Sequence, residues 1–330
     1  MVDLPLSLEA GSEKRSKEMS EQKTVSVALG SGGARGLAHI GVIQVLEEEG
    51  FKIGNIAGSS MGACVGGIYC ANKLETFTDW VITLNRRETL RLMDFTMSTQ
   101  GVIKGKKVLD HLKGMLGEIR IEDFTIPYTA VATDVNSKQE VWMRNGDLYS
   151  VIRASSSIPT LMMPSKLGDR ILIDGGVLNP LPLEPLVPKT TDLLVAVNIN
   201  ANPEGHQRYM HVDVKDQKST EHTEEEANAY TTRMVNTVKS WLNMSKTEKT
   251  DTEQNSTLNY LGMLNKTYDF MQDRMCEQSI EIHKPEIVVN IPRHVGTTLE
   301  FYRAEEMVEE GRTAAKKAIQ KWKNQTIVAE

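Results

Sequence analysis

A serine hydroxyl becomes a nucleophile near neutral pH only when a base lies within hydrogen-bond reach and donors await the developing oxyanion. One stretch has the spacing for this, Gly58-Ser59-Ser60-Met61-Gly62. Glycines two positions either side of Ser60 let a strand turn sharply into a helix and let the two elements approach closely. Ser59 cannot take the role, because Ala57 and Met61 would flank it. A helix opening at Met61 would also place its positive dipole end beneath the reacting oxygen. By chance a chain of this length holds about 0.1 such pentads at ordinary glycine and serine usage.

Two further stretches supply what the serine lacks. Gly32-Gly33-Ala34-Arg35-Gly36 places consecutive small residues where several backbone N–H groups could converge on an anion. It is not a nucleotide loop: no Lys-Ser/Thr follows as a P-loop needs, and Arg35 occupies the last glycine or alanine of a dinucleotide fingerprint begun at Gly30. Arg35 is expected mainly to brace the loop through paired hydrogen bonds. Asp174-Gly175-Gly176 sets a carboxylate before two flexible residues, so Asp174 is a candidate base. Histidine bases compete by chain order: His283, and above all His294 in Pro292-Arg293-His294. His39 lies among apolar residues and reads as packed, while His206, His211 and His222 lie in polar sequence. No histidine pair has metal-binding spacing and no cofactor motif is present, so neither metal nor cofactor is expected.

The elements that would position these residues alternate in type. Thr24–Leu29 reads as a strand entering the glycine loop, followed by a helix with Leu37, Ile40, Ile43 and Leu46 on one face and a stop at Gly50. Ile53 to Ala57 is a strand feeding the serine turn, and a helix of small residues runs on to about Ala71. Residues from about Leu74 to Lys107 look helical. Tyr128 to Val135 and Glu140 to Arg144 read as a hairpin, Ile171–Ile173 as a short strand ending at Asp174, and Leu193–Ile199 as a buried parallel strand. Glu286 to Ile291 is a late strand and Phe301 to Trp322 a closing helix. Strand–turn–helix, twice over, predicts a mostly parallel sheet covered on both faces, a three-layer α/β/α sandwich.

Residues 1–23 read as a polar tail and 24–330 as one domain, interrupted at about 201–257 by a polar, partly helical excursion. An amphipathic helix follows, with Leu258, Leu261, Leu264, Tyr268, Met271 and Met275 on one face; core packing is the simpler account and an interfacial segment the alternative. The 330 residues carry a net charge of −6, which argues against a nucleic-acid partner. Cys64, Cys70 and Cys276 form no disulfide framework, so a reducing compartment is expected. The start of the chain does not read as a signal peptide, and Ile56–Ala71 is too short and too rich in Gly and Ser to be expected to span a bilayer; a cytoplasmic protein is expected. No feature specifies an oligomeric state.

Together the three motifs resemble the patatin-like phospholipases, especially their bacterial esterase branch. In that resemblance Gly32–Gly36 is the oxyanion loop, Gly58–Gly62 the nucleophile elbow and Asp174–Gly176 the aspartate motif, with Arg153-Ala-Ser-Ser-Ser-Ile-Pro159 between them. It covers roughly residues 24–200 and 258 to the end. It implies a Ser60–Asp174 dyad without histidine, with Gly32, Gly33 and Ala34 as oxyanion donors. Arg35, Gly36, Gly58, Met61, Gly62, Gly175 and Gly176 would support them, and His294 would be structural. Ser157 and Thr160 depart from the small residues common there. The implied activity is hydrolysis of a lipid or lysophospholipid ester, with transient membrane-surface contact resting on apolar residues. Acyl transfer through the same acyl-enzyme, or a catalytically silent binding module, are the alternative readings.

Overall fold

β-branched runs separated by helices of apolar period build the sheet. In chain order the strands of the computed structural model are β1 (Thr24–Leu29), β2 (Lys52–Ser59), β3 (Phe95–Ser98), β4 (Gly101–Ile103), β5 (Tyr128–Asp134), β6 (Gln139–Met143), β7 (Ser165–Leu167), β8 (Arg170–Asp174), β9 (Leu193–Ala201) and β10 (Ile287–Pro292). The helices are α1 (Ala38–Glu48), α2 (Met61–Cys70), α3 (Leu74–Val81), α4 (Arg86–Leu92), α5 (Lys106–Leu116), α6 (Leu148–Ser155), α7 (Tyr260–His283) and α8 (Ala304–Ala329). The structure describes residues 22–98, 101–188, 190–201 and 260–329. The expected tail up to residue 21 and the polar excursion over 202–257 lie outside these.

Contacts divide the chain into two units, Met1–Pro203 with Met271–Glu330, and Glu204–Phe270. The sheet belongs to the first. Its strands pair in the series β10-β9-β1-β2-β5-β8-β7, with β6 also paired to β5. From β10 through β5 every pairing is parallel, and β6, β8 and β7 add antiparallel pairings at the other end. Strand alternation sorts side chains between two cores. Val25, Val27 and Leu29 of β1, with Val195 and Val197 of β9, face the core that includes Ile40 of α1 and Met307 of α8. Ala28, Ala57, Leu194 and Ala196 face the other way, onto Leu181, Leu183, Leu186 and Cys276 of α7. This is a three-layer α/β/α sandwich about a mostly parallel sheet.

One segment departs from expectation. Phe95–Ser98 and Gly101–Ile103 pair as the antiparallel β3 and β4 rather than continuing a helix. Asp94 stops α4: its carboxylate accepts the N–H groups of Gly105 (2.6 Å) and Lys106 (3.1 Å), capping the start of α5. Of the residues that follow, Phe95, Thr96 and Ser98 are weaker helix formers, and Phe95 and Thr96 are strand-prone types.

Candidate active site

The serine turn is built where β2 meets α2. Ser59 ends the strand, Met61 opens the helix, and Ser60 between them sits at φ 56°, ψ −121°. A side chain held at positive φ costs roughly 1–3 kcal/mol and persists only where its surroundings fix it. Two features fix it here. A Cβ on Gly62 would lie 2.0 Å from the Leu29 carbonyl oxygen, so only glycine allows α2 to lean this closely on β1. The Ser60 N–H donates to Ser155 Oγ (2.9 Å), whose own hydroxyl donates to the Val131 carbonyl (2.6 Å), tying the elbow to α6 and β5.

Sheet register brings Asp174 to this point. β6 occupies one edge of β5 over Ala130–Asp134, so β2 and β8 must share the opposite edge. On that edge Ser59 lies opposite Val131, and Asp174 lies opposite the next residue, Ala132. The end of β2 and the end of β8 therefore meet head to head beside one strand, so that Ser59 and Asp174, far apart in sequence, are separated by a one-residue step along β5.

Asp174 is buried at 1% exposure. Its Oδ1 accepts the Gly176 N–H (2.7 Å) and its own N–H donates to the Ser157 carbonyl (3.0 Å). Burial pushes the Asp174 carboxyl up to about 6, against the opposing pull of the Ser60 hydroxyl and the Gly176 N–H. The Ser60 hydroxyl is the side chain that opposes that shift, and among the described residues Oδ2 has no hydrogen-bond partner. Arg153 fixes the segment before Asp174, donating to the Lys104 carbonyl (2.9 Å), Ser157 Oγ (2.5 Å) and the Met163 carbonyl (2.6 Å). Ser157, where the family commonly has a smaller residue, thus accepts the Arg153 guanidinium on its hydroxyl and the Asp174 N–H on its carbonyl.

The glycine loop leaves β1 beside the elbow. Gly33 sits at φ 57°, and the Ala34 N–H already donates to the Thr298 carbonyl (2.9 Å). Of the three expected oxyanion donors, Gly32 and Gly33 are those whose N–H groups no carbonyl of the described residues takes. Arg35 is buried and its guanidinium donates to the Gly296 carbonyl (3.0 Å), as a brace would. Gly36 packs against Met61, joining loop to elbow. His39 is buried with Nε2 2.8 Å from the Gly30 carbonyl, and desolvation lowers its pKa to about 4, so it is neutral at pH 7.

A polar residue that sequence reasoning passed over joins the two loops. Gln272 of α7 is buried, and its Nε2 donates both to Ser31 Oγ (3.1 Å) and to the Gly176 carbonyl (3.1 Å). Asn200 Nδ2 donates to the Ser31 carbonyl (3.0 Å). The signal for Gln272 was present in the sequence as a lone amide between Met271 and Met275 on an apolar helical stripe. Ser155 lay inside the Arg153–Pro159 stretch without a role assigned to it.

Ser60 and Gly33 both line an almost wholly apolar cavity of about 170 Å³. Phe77 and Trp80 of α3, Leu92 of α4, Leu109 and Leu112 of α5, and Ile158 form much of its wall. His294 is exposed on a turn after β10, and neither it nor His283 borders the cavity. The cysteines are free and buried, and burial pushes the Cys64 thiol up to about 12. Among the described residues no cluster of three or more His, Cys, Asp or Glu could hold a metal ion, and no helix is long and apolar enough to cross a membrane.

Residues 27–187, which contain the loop, the elbow and the aspartate motif, match the family model described as patatin-like phospholipase. An NTE family protein of Mycobacterium tuberculosis strain H37Rv is 34% identical over 345 aligned positions, covering 91% of this chain and 92% of that one. Neuropathy target esterase sws of Drosophila melanogaster is 28% identical over 184 positions, covering 54% of this chain and 13% of its own. The solved structure of VipD from Legionella pneumophila superposes on 91% of this chain and 67% of its own with a TM-score of 0.39 at 12% identity, too slight a likeness to bear on function. With the loop, the elbow and the aspartate motif all inside the matched stretch and a relative matched nearly end to end, the chain belongs to the patatin-like phospholipase family and has NTE family proteins as its relatives.

Proposed function

We propose that the protein is a lipid acyl hydrolase working through a Ser60–Asp174 dyad. One observation carries this reading: a strained, buried serine and a buried carboxyl interact beside an apolar cavity suited to an acyl chain. Ser60 Oγ attacks the ester carbonyl carbon as its proton passes to Asp174. The negative charge gathers on the former carbonyl oxygen, where the N–H groups of Gly32, Gly33 and Met61 receive it. Collapse expels the alcohol, which takes the proton from Asp174 and leaves the acyl group on Ser60. Water then attacks the acyl-enzyme, giving its proton to Asp174, and the second tetrahedral species releases the fatty acid as Ser60 recovers a proton. A carboxyl held near 6 is ionised at pH 7, yet basic enough to take the serine proton as the bond forms. The cavity receives the acyl chain of a lipid or lysophospholipid ester, and delivery requires passing contact with a lipid surface.

Hydrolysis of a short-chain p-nitrophenyl ester by wild type and variants tests the assignment. Ser60→Ala and Asp174→Asn are expected to fold and to lose turnover, while His294→Ala keeps it. Activity retained by pure Ser60→Ala would refute the nucleophile, and loss in His294→Ala would point to a triad.

A further inference from the structure

The elements that wall the acyl cavity present a second face to solvent, and its chemistry differs from that of the rest of the chain. Leu92, Met93, Ile103, Gly105 and Val108 face inward and line the cavity. Their neighbours Leu90, Phe95 and Val102 face outward, 44–56% exposed. Phe95 pairs with Ile103 across the hairpin, and Asp94 binds the first N–H groups of α5, so the end of α4, the hairpin base and the start of α5 form one patch. Large apolar side chains grouped in this way mark an interaction surface rather than ordinary scatter.

Cations surround them. Residues 86–113 hold seven Lys and Arg against three Asp and Glu, in a chain whose net charge is −6. The three acids are engaged: Glu88 closes a capping box with Asn85, Asp94 is buried on backbone N–H groups, and Asp110 pairs with Lys106. Arg86 stacks on Tyr302. Arg87, Arg91, Lys104 and Lys107 are exposed. Of the acids on the segment packed against α4, Glu300 and Glu306 pair with Arg303, and a charged surface acts over about 8–10 Å in physiological salt, so acids farther away do not cancel the local excess.

We infer that this face, α4 with the β3–β4 hairpin and the start of α5, docks the protein on an anionic lipid bilayer. The occupant follows from charge complementarity and from position: anionic headgroups answer Arg87, Arg91, Lys104 and Lys107, while Leu90, Phe95 and Val102 enter the headgroup–acyl boundary. Docking there sets the cavity wall against the bilayer from which an acyl chain must come. The inference rests on the lipid-hydrolase reading for its purpose, and its test measures binding without turnover.

Flotation of Ser60→Ala protein is measured with phosphatidylcholine vesicles, with and without phosphatidylserine, at low and high salt. Binding is expected to the anionic vesicles and to fall as salt rises. In the same background, Arg87→Glu with Arg91→Glu should weaken partitioning by at least about tenfold, since each basic residue near an anionic surface contributes measurably. Leu90→Ser with Phe95→Ser should weaken it at both salts. Lys107→Glu, outside α4, acts in the same direction and covers the case of a misfolded α4 variant. With Ser60 intact, the two double variants should hydrolyse a soluble ester at the wild-type rate and lipid in anionic vesicles more slowly. No binding to either vesicle, or equal binding by Ser60→Ala protein with and without the surface changes, overturns the docking face while leaving esterase activity standing. Binding without hydrolysis of any ester would overturn the enzymatic reading instead.

Discussion

Under the proposed mechanism, protonation of Asp174 couples catalysis to stability, and one pKa should govern both. Its carboxyl is raised from 3.8 to about 6, chiefly by burial, so the folded protein holds this proton more tightly than the unfolded chain. The sign follows from linkage: between those values the native state binds more protons, and stability falls as pH rises. The full cost of the ionised carboxylate, reached above pH 6, is about 3 kcal/mol at about 1.4 kcal/mol per unit. Between pH 5 and pH 8 the change amounts to about 1.4 kcal/mol, because part of the shift lies below pH 5. Urea unfolding of wild type and Asp174→Asn at both pH values isolates this group, since the other ionisable groups cancel in the difference. Wild type should lose about 1.4 kcal/mol relative to the variant on going from pH 5 to pH 8. Over the same range wild-type kcat/KM for a soluble ester should climb to a plateau with an apparent pKa of about 6, because the base must be ionised. A stability difference independent of pH, or a rate limb nearer 4, would show that Asp174 is not held as the buried base argued here.

Two other substitutions probe the scaffold. Ser60→Gly should be inactive yet about 1 kcal/mol more stable than Ser60→Ala by urea unfolding, because glycine accepts the positive φ that alanine must bear. Gln272→Leu takes the shared donor from Ser31 and Gly176, so it should cost about 1–3 kcal/mol of stability and lower kcat more than it raises KM, since it disturbs both loops without touching the acyl cavity.

The docking face and the active site use the same short elements in opposite ways. Leu92, Met93, Ile103, Gly105 and Val108 line the cavity while Leu90, Phe95 and Val102 meet solvent, so under the proposed docking the same elements would serve acyl binding inside and lipid contact outside.

The sequence by itself determined the local chemistry. The elbow was legible because glycine at 58 and 62 has few explanations other than a tight strand-to-helix turn, and Ser60 does take the positive φ such a turn imposes. The parallel strands were legible because a strand buried on both faces is written as a continuous apolar run, as in Leu193–Ile199. Only the tertiary structure decided how separated pieces meet. That β2 and β8 share one edge of β5 follows from pairing β6 to the other edge, and no local pattern encodes which strand takes which side. Gln272 and Ser155 were obscured for the same reason: a buried polar side chain is recognisable only by its partners, which lie at distant sequence positions. The raised pKa of Asp174 belongs to the fold as well, since desolvation is a property of everything packed around the carboxyl rather than of the residues beside it in the chain.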